Sequence, residues 1–147
     1  MSFDLVLFGG TGDLAWRKLM PALFQAFRHG KLPPGGRILA VAREERSDDD
    51  YRAFIQERFA AVEPAKQPSA EEFARFAGLL HYRRMDLSQP GDYGGLRQWL
   101  EDRDAAGGRG PADTVVLYLA TSPHLFTAIC TQLGAAGLNT PRVRVVL

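Results

Sequence analysis

The chain has 147 residues, 46% hydrophobic and 24% charged, a balance ordinary for one globular domain with a proper core. Eighteen basic residues against seventeen acidic ones leave a net charge of +1. Bulk electrostatics therefore make no case for nucleic acid or an anionic membrane as partner, while a small anion held by a few local groups is still open. No apolar run approaches the ~20 residues of a membrane span, and no basic-then-apolar leader opens the chain. The single cysteine, Cys130, precludes an internal disulfide and predicts a reducing, cytoplasmic setting.

In chain order, residues 3–9 (FDLVLFG) are nearly continuous apolar residues with one early aspartate, which predicts a strand buried on both faces. From Asp13 the period becomes helical, with Leu14, Leu19, Leu23, Phe24 and Phe27 on one face and Trp16, Arg17 and Lys18 beside it. Pro21 removes a helix hydrogen bond, so the helix kinks or restarts there. His29-Gly30 closes it, and LPPGG (32–36) is a loop. RILAVA (37–42) is a second strand. Ser47 with Asp50 three residues on resembles a helix start, although a capping box ordinarily uses Glu or Gln at that place. Tyr51, Phe54, Ile55, Phe59 and Val62 carry the stripe of this helix. Two prolines in EPAKQPSAEE (63–72) break the pattern before a short helix with Phe73 and Phe76.

LLHYRRMDL (79–87) reads as a third strand, 92–104 as a helix running into a glycine-rich loop, and DTVVLYLA (113–120) as a fourth strand. Ser122-Pro123 then opens a helix with Leu125, Phe126, Ile129 and Leu133 on one face, and RVRVVL (142–147) is a fifth strand. Strands separated by helices form a parallel sheet covered on both faces. The predicted fold is a doubly wound α/β domain of the Rossmann dinucleotide-binding type, filling residues 1–147. The stop inside a strand predicts a fragment of a longer chain.

In such sheets ligands lie beyond the carboxyl ends of the strands, and the first strand-to-helix turn forms one side of that crevice. Here it reads Gly9-Gly10-Thr11-Gly12-Asp13-Leu14-Ala15. Glycines turn the chain sharply and let backbone approach a diphosphate, while the helix start offers free N–H groups and a positive dipole end. A tight turn without ligand is the bland alternative. Two registers fit: Gly10-x-Gly12-x-x-Ala15, the usual fingerprint, and Gly9-x-x-Gly12-x-x-Ala15, with one more residue in the turn. No Gly-Lys-Ser/Thr follows, which excludes a P-loop.

After the second strand the chain reads Arg43-Glu44-Glu45-Arg46. An acidic residue there serves the ribose of NAD, whereas an arginine serves the 2′-phosphate of NADP. Arg43, first past the strand, points to NADP; Glu44 and Glu45 leave NAD as the other coenzyme. Lys18, just inside the first helix, could reach a ligand anion or simply be a surface lysine.

The segment Phe8-Gly9-Gly10-Thr11-Gly12-Asp13-Leu14-Ala15-x-Arg17-Lys18-Leu19-x-Pro21 resembles the opening of the glucose-6-phosphate dehydrogenase family. That family has Gly-x-x-Gly-Asp-Leu-Ala, a basic pair, an apolar residue and a proline two further on, which favours the Gly9-x-x-Gly12 register. The resemblance continues in order across the chain. It implies that Arg43 binds the NADP 2′-phosphate, and that Asp86 and Leu87 of Met85-Asp86-Leu87 line the adenosine side. It further implies that Ala120, Thr121 and Pro123 of the Tyr118-to-Pro123 stretch lie beside the nicotinamide. Arg142 through Leu147 resembles the strand before the family's Glu-Lys-Pro motif.

The implied reaction is hydride transfer from C1 of glucose 6-phosphate to NADP, the first step of the pentose phosphate pathway, by a full-length homo-oligomer. Of the family's substrate-handling groups only Lys18 has a counterpart here. The catalytic histidine, its aspartate and the Glu-Lys-Pro lysine are expected beyond Leu147, none of His29, His81 and His124 stands in the base position, and the catalytic domain is absent, so the fragment is expected to be inactive. Two departures are Trp16, at a position often basic in the family, and Glu44, where relatives often carry a small or neutral residue. Two other readings compete. An extended short-chain dehydrogenase or epimerase shares the glycine turn but requires a Tyr-x-x-x-Lys pair, which no tyrosine here provides. A non-catalytic dinucleotide-binding module would act by binding alone.

Overall fold

A computed structural model of the chain describes residues 3–9, 12, 15–32, 36–61, 68–101, 114–138 and 143–146. Each apolar strand is followed by a helix-length segment, so successive strands can re-enter a sheet from the same end. β1 (Phe3–Phe8), β2 (Arg37–Ala42), β3 (Leu80–Arg84), β4 (Thr114–Leu119) and β5 (Val143–Val146) do so in the order β3-β2-β1-β4-β5, with every neighbouring pair parallel. From β1 the chain builds outward through β2 and β3, then crosses back to place β4 on the other side of β1. The crevice between the carboxyl ends of β1 and β4 is the point where strand order reverses.

The helices are α1 (Met20–Arg28), α2 (Asp48–Phe59), α3 (Ala70–Ala77), α4 (Pro90–Glu101) and α5 (Phe126–Ala135). Alternate residues of β1 and β2 feed two separate cores. Val6, Phe8, Leu39 and Val41 pack with Tyr93 and Leu96 of α4 and Ile129 and Leu133 of α5. Leu7, Ile38 and Ala40 pack on the opposite face with Phe24 of α1, Tyr51 and Ile55 of α2, and Phe73 and Phe76 of α3. In that second core Phe24 meets Phe59 and Phe76 with ring centroids 5.4 Å apart, tilted and edge-on respectively. Such pairs add about 0.5–1.5 kcal/mol beyond their buried area.

The helix starts follow their capping chemistry. Ser69 opens α3 with a capping box in which the Ser69 N–H donates to Glu72 Oε1 at 3.0 Å. Ser47 opens α2 with the same box built on Asp50, but there the Ser47 N–H lies 3.5 Å from Asp50 Oδ2. The aspartate is one methylene shorter than glutamate, so it closes the box only loosely. Pro21 stands at the second residue of α1, after a wide π-type turn over Ala15–Leu19, so the chain restarts its helix rather than kinking one.

Four expectations are corrected. The third strand ends at Arg84, not 87, because Asp86, Leu87 and Ser88 form a turn held by the Asp86 carboxylate. The fourth helix begins at Pro90 rather than 92, since proline is pre-organised for the first helical position. After Ser122 the chain makes a single 3₁₀ turn (Pro123–Leu125) before α5 begins. The sheet is covered on both faces at β1 and β2 but not at its far edge: along β5, Val145 is 44% and Val146 38% exposed. Among the described residues no helix is long and apolar enough to cross a membrane. Val62 and residues 102–104 lie outside the described residues.

Candidate functional site

β1 ends at Phe8, and Gly9 turns the chain at φ +84°, a left-handed conformation that disfavours any side chain. Its N–H donates to the Val41 carbonyl of β2 at 2.9 Å, and the Gly12 N–H donates back to the Gly9 carbonyl at 2.9 Å. The turn abuts β4 directly. A Cβ on Gly9 would stand 2.8 Å from the Ala120 carbonyl oxygen and 3.2 Å from Thr121 Cγ2. Backbone from two strands thus meets at the switch point with no room for a side chain on Gly9.

On the β2–β3 side, Met85 N–H donates to the Ala42 carbonyl at 2.7 Å and Tyr82 Oη to the Glu44 carbonyl at 2.6 Å, fixing the path of the chain through Arg43. Arg43 is exposed, with no hydrogen bond or ion pair to another described residue. Asp86 is braced at both ends: its N–H donates to Asp92 Oδ2 at 2.8 Å, and its Oδ1 accepts from the Ser88 N–H at 3.0 Å and hydroxyl at 2.7 Å. The bonds from Ser88, with the nearby Arg43 and Arg84 guanidinium groups, hold this carboxyl below the usual carboxylate range, so it is ionised near neutrality.

Between these walls lies an open cleft of about 560 Å³, within the span of small-molecule and cofactor sites. Gly9 and Gly12 line it at the turn; Ala42, Arg43, Glu44 and Met85 through Ser88 line one wall; Ala120, Thr121, Ser122, Leu125, Ala128 and Ile129 line the other. The hydroxyl of Thr121 is shut off from solvent and has no hydrogen-bond partner among the described residues.

The structure therefore brings together Gly9, Gly12, Arg43, Asp86, Leu87, Ala120 and Thr121 of the expected set. Gly10, Thr11, Asp13 and Leu14 lie outside the described residues, as does the side chain of Ala15, whose backbone begins the π-type turn. Lys18 is exposed on that turn and is not among the cleft-lining residues. Pro123 is also absent from the walls, because it starts the exposed 3₁₀ turn and its ring serves the backbone. Ser88 and Ser122 went unread although each adjoins an expected residue. Ala128 carries no sequence signal, since only the approach of α5 to the cleft makes an alanine a wall.

An exposed guanidinium, a braced carboxylate, a glycine turn and a hydroxyl with no partner among the described residues, around one apolar-floored cleft, suit a dinucleotide: anionic in the middle and polar at its ends. Among the described residues no group of three or more His, Cys, Asp or Glu could hold a metal ion.

Comparison with known proteins agrees with this geometry. Residues 6–147 match a protein-family model described as "Glucose-6-phosphate dehydrogenase, NAD binding domain". The chain is 43% identical over 145 residues to glucose-6-phosphate 1-dehydrogenase of Mycolicibacterium smegmatis, covering 98% of this chain and 28% of that protein. With the Gluconobacter oxydans protein of the same name it shares 35% identity over 145 residues, covering 99% and 29%. Among solved structures, one of a glucose-6-phosphate dehydrogenase in complex with its substrate glucose-6-phosphate superposes with a TM-score of 0.83 at 26% identity, covering 99% of this chain and 30% of that one. Glucose-6-phosphate 1-dehydrogenase from Mycobacterium avium gives 0.81 at 29% identity, with 99% and 29% covered. The chain spans a little over a quarter of the length of the relatives it matches.

Proposed function

The chain belongs to the glucose-6-phosphate dehydrogenase family as its NAD-binding domain, and on that premise we propose that it is the NADP-binding part of an enzyme oxidising glucose 6-phosphate to 6-phosphogluconolactone. The observation that carries the coenzyme choice is Arg43, an exposed guanidinium at the end of β2 that lines the cleft with no hydrogen bond or ion pair to a described residue. A planar, permanently charged fork at that position suits a terminal phosphate on the adenosine ribose.

Each described wall has a role under this reading. The Gly9 turn receives the diphosphate, as the glycine turn after the first strand does in sheets of this kind. Asp86, Leu87 and Ser88 bound the adenosine end, and Ala120 through Ser122 bound the nicotinamide end. When bound, the coenzyme supplies the hydride acceptor for C1 of the sugar. This chain's share of catalysis is then to hold the acceptor in place, which converts a bimolecular encounter into an oriented one. The proton-abstracting base and the groups holding the sugar phosphate belong to a catalytic domain outside residues 1–147, so the chain alone binds coenzyme without turnover. Lys18 is the one residue here proposed to reach toward substrate, and a cytoplasmic homo-oligomer is the proposed setting of the whole enzyme.

Glu44, beside Arg43 on the same wall, favours a second reading in which NAD is also accepted. Calorimetric titration of the chain with NADP and NAD, repeated on Arg43→Ala, decides between them. Losing a charge-assisted contact should weaken NADP about 10- to 100-fold and leave NAD nearly unchanged. Equal NADP affinity in the variant would remove the 2′-phosphate assignment, and turnover of glucose 6-phosphate by the chain alone would place the catalytic base inside it.

A further inference from the structure

A buried hydroxyl without a partner destabilises a fold, and native proteins hold few of them. Among the described residues Thr121 Oγ1 is one, and it sits at the switch point, on a residue that lines the cleft. Valine has the same shape as threonine and would fill the same space with no polar atom to leave unsatisfied. Packing alone therefore gives no reason for the hydroxyl. The backbone beside it is rigid: the Ala120 N–H donates to the Phe8 carbonyl at 2.9 Å, tying the end of β4 to the end of β1. Thr121 is also the side chain closest to the glycine turn from the β4 side, with its Cγ2 facing Gly9.

We propose that the Thr121 hydroxyl serves the bound coenzyme, donating a hydrogen bond to an oxygen of its diphosphate bridge. A χ1 step of about 120° between staggered wells carries Oγ1 into the place of Cγ2, and Cγ2 into that of the β-hydrogen. That step moves the hydroxyl from its shielded place to the direction of Gly9, where diphosphate and backbone come closest. The inference rests on the dinucleotide reading of the cleft. It assigns to Thr121 a positioning role that the wall as such does not imply: the residue exchanges an unsatisfied state for a satisfied one when the diphosphate arrives, so its energy favours the liganded form alone.

This coupling has a signature of opposite signs, which a merely structural threonine does not produce. Thr121→Val in the 147-residue chain removes the orphaned hydroxyl, so thermal unfolding without ligand should shift upward by about 2–5 °C. The same variant should bind NADP about 5- to 20-fold more weakly by calorimetry. Adenosine 2′-monophosphate keeps the adenosine and the 2′-phosphate but lacks both phosphates of the bridge, and its affinity should be the same for both proteins. Thr121→Ser, which keeps the hydroxyl, should bind NADP within about threefold of the parent chain.

Unchanged NADP affinity in Thr121→Val overturns the proposal, and so does a lowered melting temperature, which means that the hydroxyl already has a partner. Equal weakening toward NADP and the monophosphate also overturns it, because the whole cleft has then been disturbed. If the parent chain binds neither ligand, the dinucleotide reading itself fails, a result distinct from all of these.

Discussion

Replacing Gly9 with alanine tests the turn at the centre of the site, and the structure sets the magnitude. Two costs are involved. The first is conformational: a residue with a Cβ at φ +84° loses about 1–2 kcal/mol, less some tenths regained by stiffening the unfolded chain. The second is steric. The new Cβ would stand 2.8 Å from the Ala120 carbonyl oxygen, a backbone atom whose residue is anchored to Phe8 by a 2.9 Å hydrogen bond. Backbone cannot swing aside as a side chain does, so the ends of β1 and β4 must separate, at about 1–3 kcal/mol. The sum is a loss of about 2–4 kcal/mol.

Gly30 supplies the control. It also has positive φ, +70°, but a Cβ there meets nothing within 4 Å. Gly30→Ala therefore carries the conformational cost alone, about 1 kcal/mol. Urea unfolding of the parent and both variants, with equal m values, isolates the steric part as the difference between them. If the two variants lose the same stability to within about 0.5 kcal/mol, the contact between the turn and β4 does not limit the turn, and the argument for a tight cradle fails.

Asp4 is 1% exposed and is held by Arg37 through two parallel hydrogen bonds of 2.9 and 2.8 Å, with the guanidinium 3.8 Å above the Trp99 ring. Arg37→Ala removes both of these hydrogen bonds from a buried carboxylate and should cost about 3–5 kcal/mol in chemical denaturation, part of which returns when Asp4→Asn is added. Glu72 accepts from Arg28 and from the Ser69 N–H, and these bonds lower its carboxyl from the ordinary 4.5 to about 2. A carboxylate with a depressed folded pKa contributes stability above its unfolded pKa and loses it as pH falls. Melting temperature should therefore decline between pH 4.5 and about 2, and Glu72→Gln should flatten that decline. An unchanged slope in the variant would move the acid sensitivity to other groups.

Much of the fold was legible because period and strand chemistry are local. The run Leu5-Val6-Leu7-Phe8 is apolar at every position, which only a strand with a core on each face explains, and the two cores divide it between odd and even positions. Arg43, Asp86 and Thr121 were readable for the same reason, since each stands where a strand ends, and in a parallel sheet all such ends lie on one side. Among the described residues neither Lys18, on the π-type turn, nor Pro123, on the 3₁₀ turn, lines the cleft, because closeness in sequence to a lining residue does not by itself bring a side chain to the wall.

By itself the sequence determined the strand and helix alternation, the glycine turn, and the arginine past the second strand, because each depends on residues within a few positions of one another. Only the tertiary structure decided that Ala120 closes over Gly9, that Asp4 finds Arg37 on the neighbouring strand, that α5 supplies a wall, and that the Thr121 hydroxyl has no partner among the described residues. Those features join residues as many as 111 positions apart, Gly9 with Ala120. No local pattern encodes such meetings; the strand order and register bring them about.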